Sequence, residues 1–170
     1  HITQHRHNVY WGEATEIIHA SPKRVSPRCP LYLECGGCNL QHASPEHQIE
    51  IKSGILRRNL QRIAHITDPA PFAISLSPPF HYRTRMVMKI RDGRAGFFQR
   101  KSHRFTAVTS CPLMPAVMQA RLRELCEHPR IRNLEDGQLL LLSNGKETAA
   151  SGWDGREWFA LDGPDRIGFQ

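Results

Sequence analysis

Three cysteines crowd into the stretch CPLYLECGGC, as Cys29, Cys35 and Cys38, and two more, Cys111 and Cys126, lie far downstream. Five is an odd number, and the three at the front are too close together for the disulfide framework of a small secreted protein, so metal ligation is the better reading. A fourth ligand then has to come from a distance. Cys111 ends the alternating segment RFTAVTS and precedes Pro112, at a strand exit where a thiolate can point at a metal. Cys126 sits among Leu122 and Leu125 in a helical pattern and reads as a core residue. Four thiolates suit a 4Fe-4S cluster or a four-cysteine zinc site. Zinc sites more often carry two C-x2-C pairs, whereas here the second half is a single cysteine, which favours iron and sulfide; zinc and unligated thiols stand as alternatives. Gly36 and Gly37 are expected to let the chain turn tightly between ligands and to offer N–H groups to cluster sulfur.

The stretch RCPLYLECGGCNLQH followed at a distance by CPLMP resembles the cluster-binding signature of the RumA/RlmD group, the TrmA-related RNA 5-methyluridine methyltransferases that use S-adenosylmethionine. VSPRCP, HYRTRM, GFFQRKSHR and the closing DRIGFQ extend the likeness over most of the chain. The resemblance implies that Cys29, Cys35, Cys38 and Cys111 hold a 4Fe-4S cluster, and that the substrate is RNA, with the CGGC form leaning to the ribosomal rather than the transfer RNA branch. It also implies neighbours. Family members begin with a TRAM barrel and end with a methyltransferase domain bearing the S-adenosylmethionine site, a catalytic Cys and a Glu base. No glycine-rich strand-to-helix loop of that kind occurs here and no Asp-Pro-Pro stretch. The chain therefore reads as a fragment, expected to be inactive alone, with no catalytic residue of its own. In the implied reaction a thiolate adds at C6 of uracil, C5 takes the methyl group, and a base removes the C5 proton. No electron is needed, so a cluster is expected to be structural, with redox sensing as the alternative.

Elements must bring these residues together, and the patterning predicts an α+β layout built on antiparallel sheet. Residues 1–25 contain NVYWGEATEIIHAS and read as the tail of a TRAM-like, OB-like β-barrel, with 26–170 the iron–sulfur, RNA-binding domain. A helix is predicted over 44–66, with Ser44 as N-cap, Pro45 in its first turn and Glu46 beside it. Ile49, Leu56, Leu60 and Ile63 share one face of that helix, and Ile51 and Ile55 form a second patch. Two patches fit burial in one core or docking on a further domain, and the resemblance favours docking on the methyltransferase domain. The segment 67–80 is proline-rich and reads as linker or extended edge.

Beyond it, alternation puts Tyr82, Thr84, Met86, Met88 and Ile90 on a core face and Arg83, Arg85, Val87, Lys89 and Arg91 on the other. Asp92-Gly93 signals a hairpin turn, so Arg94 to Arg100 should return antiparallel. Arg83, Arg85, Lys89, Arg91, Phe98, Arg100 and His103 are the candidate RNA contacts, because cations with aromatic rings hold phosphates and stacked bases. A helix with Val117, Leu122 and Leu125 inward, a buried strand at GQLLLLS, a turn at NGKE and strands at TAASGW and EWFALD complete the scaffold. His42, near the thiols, is read as a hydrogen-bonding or surface residue.

The formal charge of +7 comes from Arg far more than Lys, which suits a polyanionic partner. No stretch is long and apolar enough to span a bilayer, and HITQHRHNVYWGE lacks the pattern of a secretory signal. The expectation is a soluble, cytoplasmic monomer. A zinc RNA-binding module without methyltransferase role and a 4Fe-4S electron carrier are the competing classes; the strong basic charge argues against the second. Radical chemistry on S-adenosylmethionine is disfavoured because its ligands are typically spaced C-x3-C-x2-C.

Overall fold

The computed structural model describes residues 1–161, so the DRIGFQ stretch lies outside the described residues. Two strands, β1 (Ile2–Arg6) and β2 (Val9–Gly12), form an antiparallel hairpin through His7 and Asn8, both at positive φ. Every residue of this hairpin is exposed, it pairs with no other strand, and 13–20 adopts no regular structure. The stretch expected to supply the last strands of a barrel thus makes one two-stranded ribbon. An isolated ribbon has no second layer on which to bury a face.

Helix α1 (Pro45–Ile63) begins as its sequence requires: the Ser44 hydroxyl accepts the His47 N–H at 3.2 Å, and Pro45 and Glu46 occupy the first turn. It carries no buried residue, and Leu56 and Ile63 are 44% and 76% exposed. Burial of this helix in a single core is therefore excluded among the described residues. Residues 64–84 form no helix or strand, as the prolines there predict.

The rest is one six-stranded antiparallel sheet in the order β5-β4-β3-β6-β7-β8. Its strands are β3 (Arg85–Arg91), β4 (Arg94–Phe98), β5 (Phe105–Ala107), β6 (Asp136–Ser143), β7 (Thr148–Trp153) and β8 (Trp158–Leu161). The β3–β4 turn is pinned at Asp92 (φ 48°) and Gly93 (φ 70°), the left-handed pair that matches strand twist. A Cβ at Gly93 would sit 2.3 Å from the Arg132 carbonyl oxygen, so only glycine fits there. Asn144–Glu147 makes the expected turn into β7, with Gly145 at φ 89°.

One face of the sheet is the core. Met86, Met88 and Ile90 of β3 and Leu139 and Leu141 of β6 pack against Met118, Leu122 and Leu125 of α2 (Ala116–Cys126) and Ile131 of α3 (Pro129–Arg132). Three expectations are corrected here. Tyr82 and Thr84 are exposed rather than inward, because β3 starts only at Arg85 and the preceding residues bond elsewhere: His81 and Arg83 donate their N–H groups to Pro112 and Leu113. Met118, not Val117, is the buried residue in the first turns of α2. The LLLL run of β6 is buried on alternate residues only, since Leu140 and Leu142 point to the opposite, uncovered face.

Truncating Leu139 to Ala, at 0% exposure, should cost about 2–5 kcal/mol in equilibrium denaturation, whereas Leu56→Ala on α1 should stay within about 1 kcal/mol. Amide hydrogen exchange should likewise find α1 weakly protected beside β3 and β6; protection of α1 equal to that of β6 would contradict this.

Candidate metal centre and basic face

Residues 21–44 contain neither helix nor strand, and backbone bonds at the base give the segment its shape. Val25 N–H donates to the His42 carbonyl at 2.9 Å and Ser44 N–H to that of Lys23 at 3.0 Å. Inside the loop, Tyr32 N–H donates to Cys29 O at 3.1 Å and Cys35 N–H to Leu31 O at 2.8 Å, with Leu33 at φ 80°. The Gln41 side-chain oxygen accepts the Cys29 N–H at 3.1 Å. Tyr32 Oη lies 2.8 Å from Asn39 O and 2.6 Å from His42 Nδ1. His42 therefore braces the loop, as read from the sequence, and does not line the cavity formed by the cysteines.

That cavity is where the distant thiol arrives. Cys111 follows β5 in a loop held by the His81 and Arg83 N–H groups and by Met114 N–H donating to Cys111 O at 3.0 Å. Cys29, Cys35, Cys38 and Cys111 line one cavity, floored by Leu31, Met86, Phe97 and Val108. Its volume is about 40 Å³, room for a small inorganic body rather than a nucleotide, given that one water needs ~10–15 Å³ on the same measure. All five cysteines are unbridged. Cys126 is absent from the cavity lining and packs half-buried against the apolar core.

Burial pushes the thiols of Cys35 and Cys111 above their ordinary range, and the neighbouring cysteines add to the rise. Hydrogen bonds from the backbone at Gly37 and Leu113 act in the opposite direction. Desolvated, mutually repelling thiolates are the donor set a cation stabilises. Among the described residues, no three His, Cys, Asp or Glu side chains converge closely enough for one metal ion.

The glycine pair lies in a turn, as expected, and the backbone at Gly37 hydrogen-bonds the Cys35 thiol. Neither Gly36 nor Gly37 has positive φ, so no left-handed turn explains them. Gly36 lies flat against the end of β4: its N–H donates to Phe98 O at 3.1 Å, and a Cβ there would stand 2.6 Å from that same oxygen. Close approach of two backbones is what demands glycine. A Cβ at Gly37 would meet the Cys35 sulfur at an ordinary 3.4 Å.

Of the residues proposed from sequence for RNA, the structure gathers five. Arg85, Lys89 and Arg91 share the uncovered face of β3, with Phe98 of β4 beside them and His103 edge-on to the Phe98 ring at 6.1 Å. The Arg91 guanidinium lies 5.8 Å from that ring centroid and 3.6 Å from the Asp136 carboxylate. Two are set apart. Arg83 precedes β3 and lines the cysteine cavity, and Arg100 lies past the end of β4, where its backbone N is 3.1 Å from an added Gly36 Cβ. Trp153 and Trp158, on the same open face at the far edge, went unremarked in the sequence reading. The alternation of TAASGW and EWFALD about a short turn was the signal available.

No family model matches the chain. It is 30% identical over 169 residues to an uncharacterized RNA methyltransferase of Bdellovibrio bacteriovorus, covering 99% of this chain and 42% of that protein. It is 38% identical over 120 residues to the 23S rRNA (uracil(1939)-C(5))-methyltransferase RlmD of Erwinia tasmaniensis, covering 67% of this chain and 27% of the relative. An uncharacterized RNA methyltransferase of Aquifex aeolicus shares 36% over 117 residues, 68% of this chain and 27% of that protein. The chain is thus a relative of the RNA methyltransferases, and within them it is similar to the RlmD-like enzymes. It spans between about a quarter and two fifths of the length of these curated relatives.

Gly36→Ala should lower stability by about 1–3 kcal/mol, the usual cost of forcing extra volume into a tight contact, while Gly37→Ala stays within about 1 kcal/mol. Denaturation midpoints of the two variants test the assignment; equal losses would remove the Phe98 contact as the reason for the first glycine.

Proposed function

We propose that this chain is the cluster-bearing, RNA-recognising part of an RNA (uracil-5-)-methyltransferase that moves a methyl group from S-adenosylmethionine to C5 of a uridine in 23S rRNA. The observation that carries the reading is the meeting of three loop thiols and the remote Cys111 at one small cavity, directly beneath the strand that bears the basic face. Cys29, Cys35, Cys38 and Cys111 are the proposed ligands. The pattern of three clustered cysteines and a single remote one favours a cluster over a single zinc, because zinc sites more often carry two C-x2-C pairs.

When bound, the cluster would supply four iron–thiolate bonds that cross-link two otherwise separate loops. The chain's own residues do the rest. Gly36 seats the loop on β4, and Gly37 and Leu113 N–H groups stabilise thiolate at Cys35 and Cys111. Arg85, Lys89, Arg91, Phe98 and His103 form the face proposed for RNA, with Arg83 at the thiol cavity and Arg100 past the end of β4 as further proposed contacts. Methyl transfer, the S-adenosylmethionine site and the catalytic pair belong to a further domain, for which the unburied α1 is the proposed docking element. The cytoplasm, where thiols stay reduced and rRNA is made, is the proposed compartment.

Anaerobic purification with iron, sulfide and zinc analysis tests this first. The expected result is about four irons and four sulfides per chain, lost in Cys111→Ala and retained in Cys126→Ala. One zinc without sulfide would replace the cluster by a zinc site, and retention of metal in Cys111→Ala with loss in Cys126→Ala would overturn the fourth ligand.

A further inference from the structure

The uncovered face of the sheet is more than a basic strip. Strand register places Arg85, Val87, Lys89 and Arg91 of β3 beside Gln138, Leu140 and Leu142 of β6, then Ser151 and Trp153 of β7, then Trp158 of β8. Helices α2 and α3 pack on the opposite side, where the buried residues lie. Val87, in a central strand, is consequently 37% exposed and Trp158 is 51% exposed. At the far edge, Trp153 and Trp158 are direct cross-strand partners, with ring centroids 5.5 Å apart and planes inclined by 47°. At the near edge, Phe98 carries His103 and Arg91 around it, and the Phe105 ring lies over Gly96, where a Cβ would meet it at 2.7 Å.

Aromatic rings therefore stand at both edges, with cations and a glutamine amide between them. Asp136 faces Arg91, Asp154 Oδ1 accepts the N–H groups of Arg156 and Glu157 at 2.9 Å each, and Glu157 precedes Trp158 at the far edge. Trp158, 51% exposed, offers a large ring face on which a planar partner can stack. On a chain of formal charge +7, a partner that is both planar and anionic is an unpaired nucleotide.

We infer that Trp153 and Trp158 are a second base-stacking platform, so that single-stranded RNA crosses the sheet from Phe98 to Trp158. The inference rests on the RNA reading of the basic face and extends it to residues on the opposite edge. From β4 to β8 is four strand spacings, about 19 Å, enough for several nucleotides running across the strands. Phosphates lie over Lys89 and Arg91, and Gln138 faces base edges in the middle of the track.

The test uses the 170-residue chain, purified anaerobically, in a Trp11→Phe background so that only the platform fluoresces. A fluorescein-labelled unstructured RNA oligonucleotide and the same sequence as a duplex are titrated at several salt concentrations. The single strand should quench tryptophan emission and outcompete the duplex. Trp158→Ala should weaken its binding roughly 5- to 150-fold, the loss expected for one stacked base, and leave the salt slope unaltered. Lys89→Ala should instead flatten the slope by about one unit. Unchanged affinity in Trp158→Ala and Trp153→Ala, alongside weakening in Lys89→Ala, overturns the platform and leaves the basic-face reading intact. No binding by the parent chain overturns both. Matching thermal melts for parent and Trp158→Ala show that the comparison is made between folded proteins.

Discussion

One backbone contact organises the site: the Gly36 N–H against the Phe98 carbonyl, at a distance no side chain at Gly36 would allow. The β3–β4 ladder ends at the Lys89–Gly96 pair, and two residues further on the thiol loop takes up the strand's next carbonyl. A segment without helix or strand is thereby registered on a rigid sheet. Cys35, one residue away, is brought to the cavity floor, and Cys111 reaches the same cavity from the loop that follows β5. Without that contact the loop would keep its internal turns and lose its position.

What could be read in advance follows the range of the interactions concerned. The N-cap at Ser44, the Asp92-Gly93 turn and the inward Met86, Met88 and Ile90 depend on neighbours in sequence or on period-two alternation, and each is visible in the residues. The choice of Cys111 over Cys126 as the thiol at the cavity was legible too, because a thiol before proline at a strand exit differs in pattern from one in an apolar helix stripe. The turn at Gly36 is a local property and was legible, whereas its close approach to Phe98 depends on a strand some sixty residues on and was not. Tyr82 and Thr84 were misread because alternation cannot show where a strand begins, and the Cys111 loop takes the hydrogen bonds that would have lengthened it. Leu140 and Leu142 look like core in any composition argument, and only the uncovered side of the sheet explains them.

The molecule divides its charge and its apolar surface by layer. Below the sheet, methionines and leucines pack on two helices and merge into the floor of the thiol cavity. Above it, arginine, lysine and aromatic rings face outward. Helix α1, capped by Ser44 and tied at its start through Lys23 and Glu50, stands apart from both layers. Its Ile55, Leu56 and Ile63 are exposed, and no residue of the helix is buried.

Phe98 belongs to both layers, through different atoms. Its ring lies on the open face with Arg91 and His103, and its carbonyl oxygen receives the thiol loop. Because the peptide carbonyl is common to all residues, the side chain here is free to change without loosening the loop. Sequence divergence at this position can reshape the open face while the backbone contact that seats the thiol loop is inherited unchanged, so the sheet acts as an evolutionary firewall between its two sides.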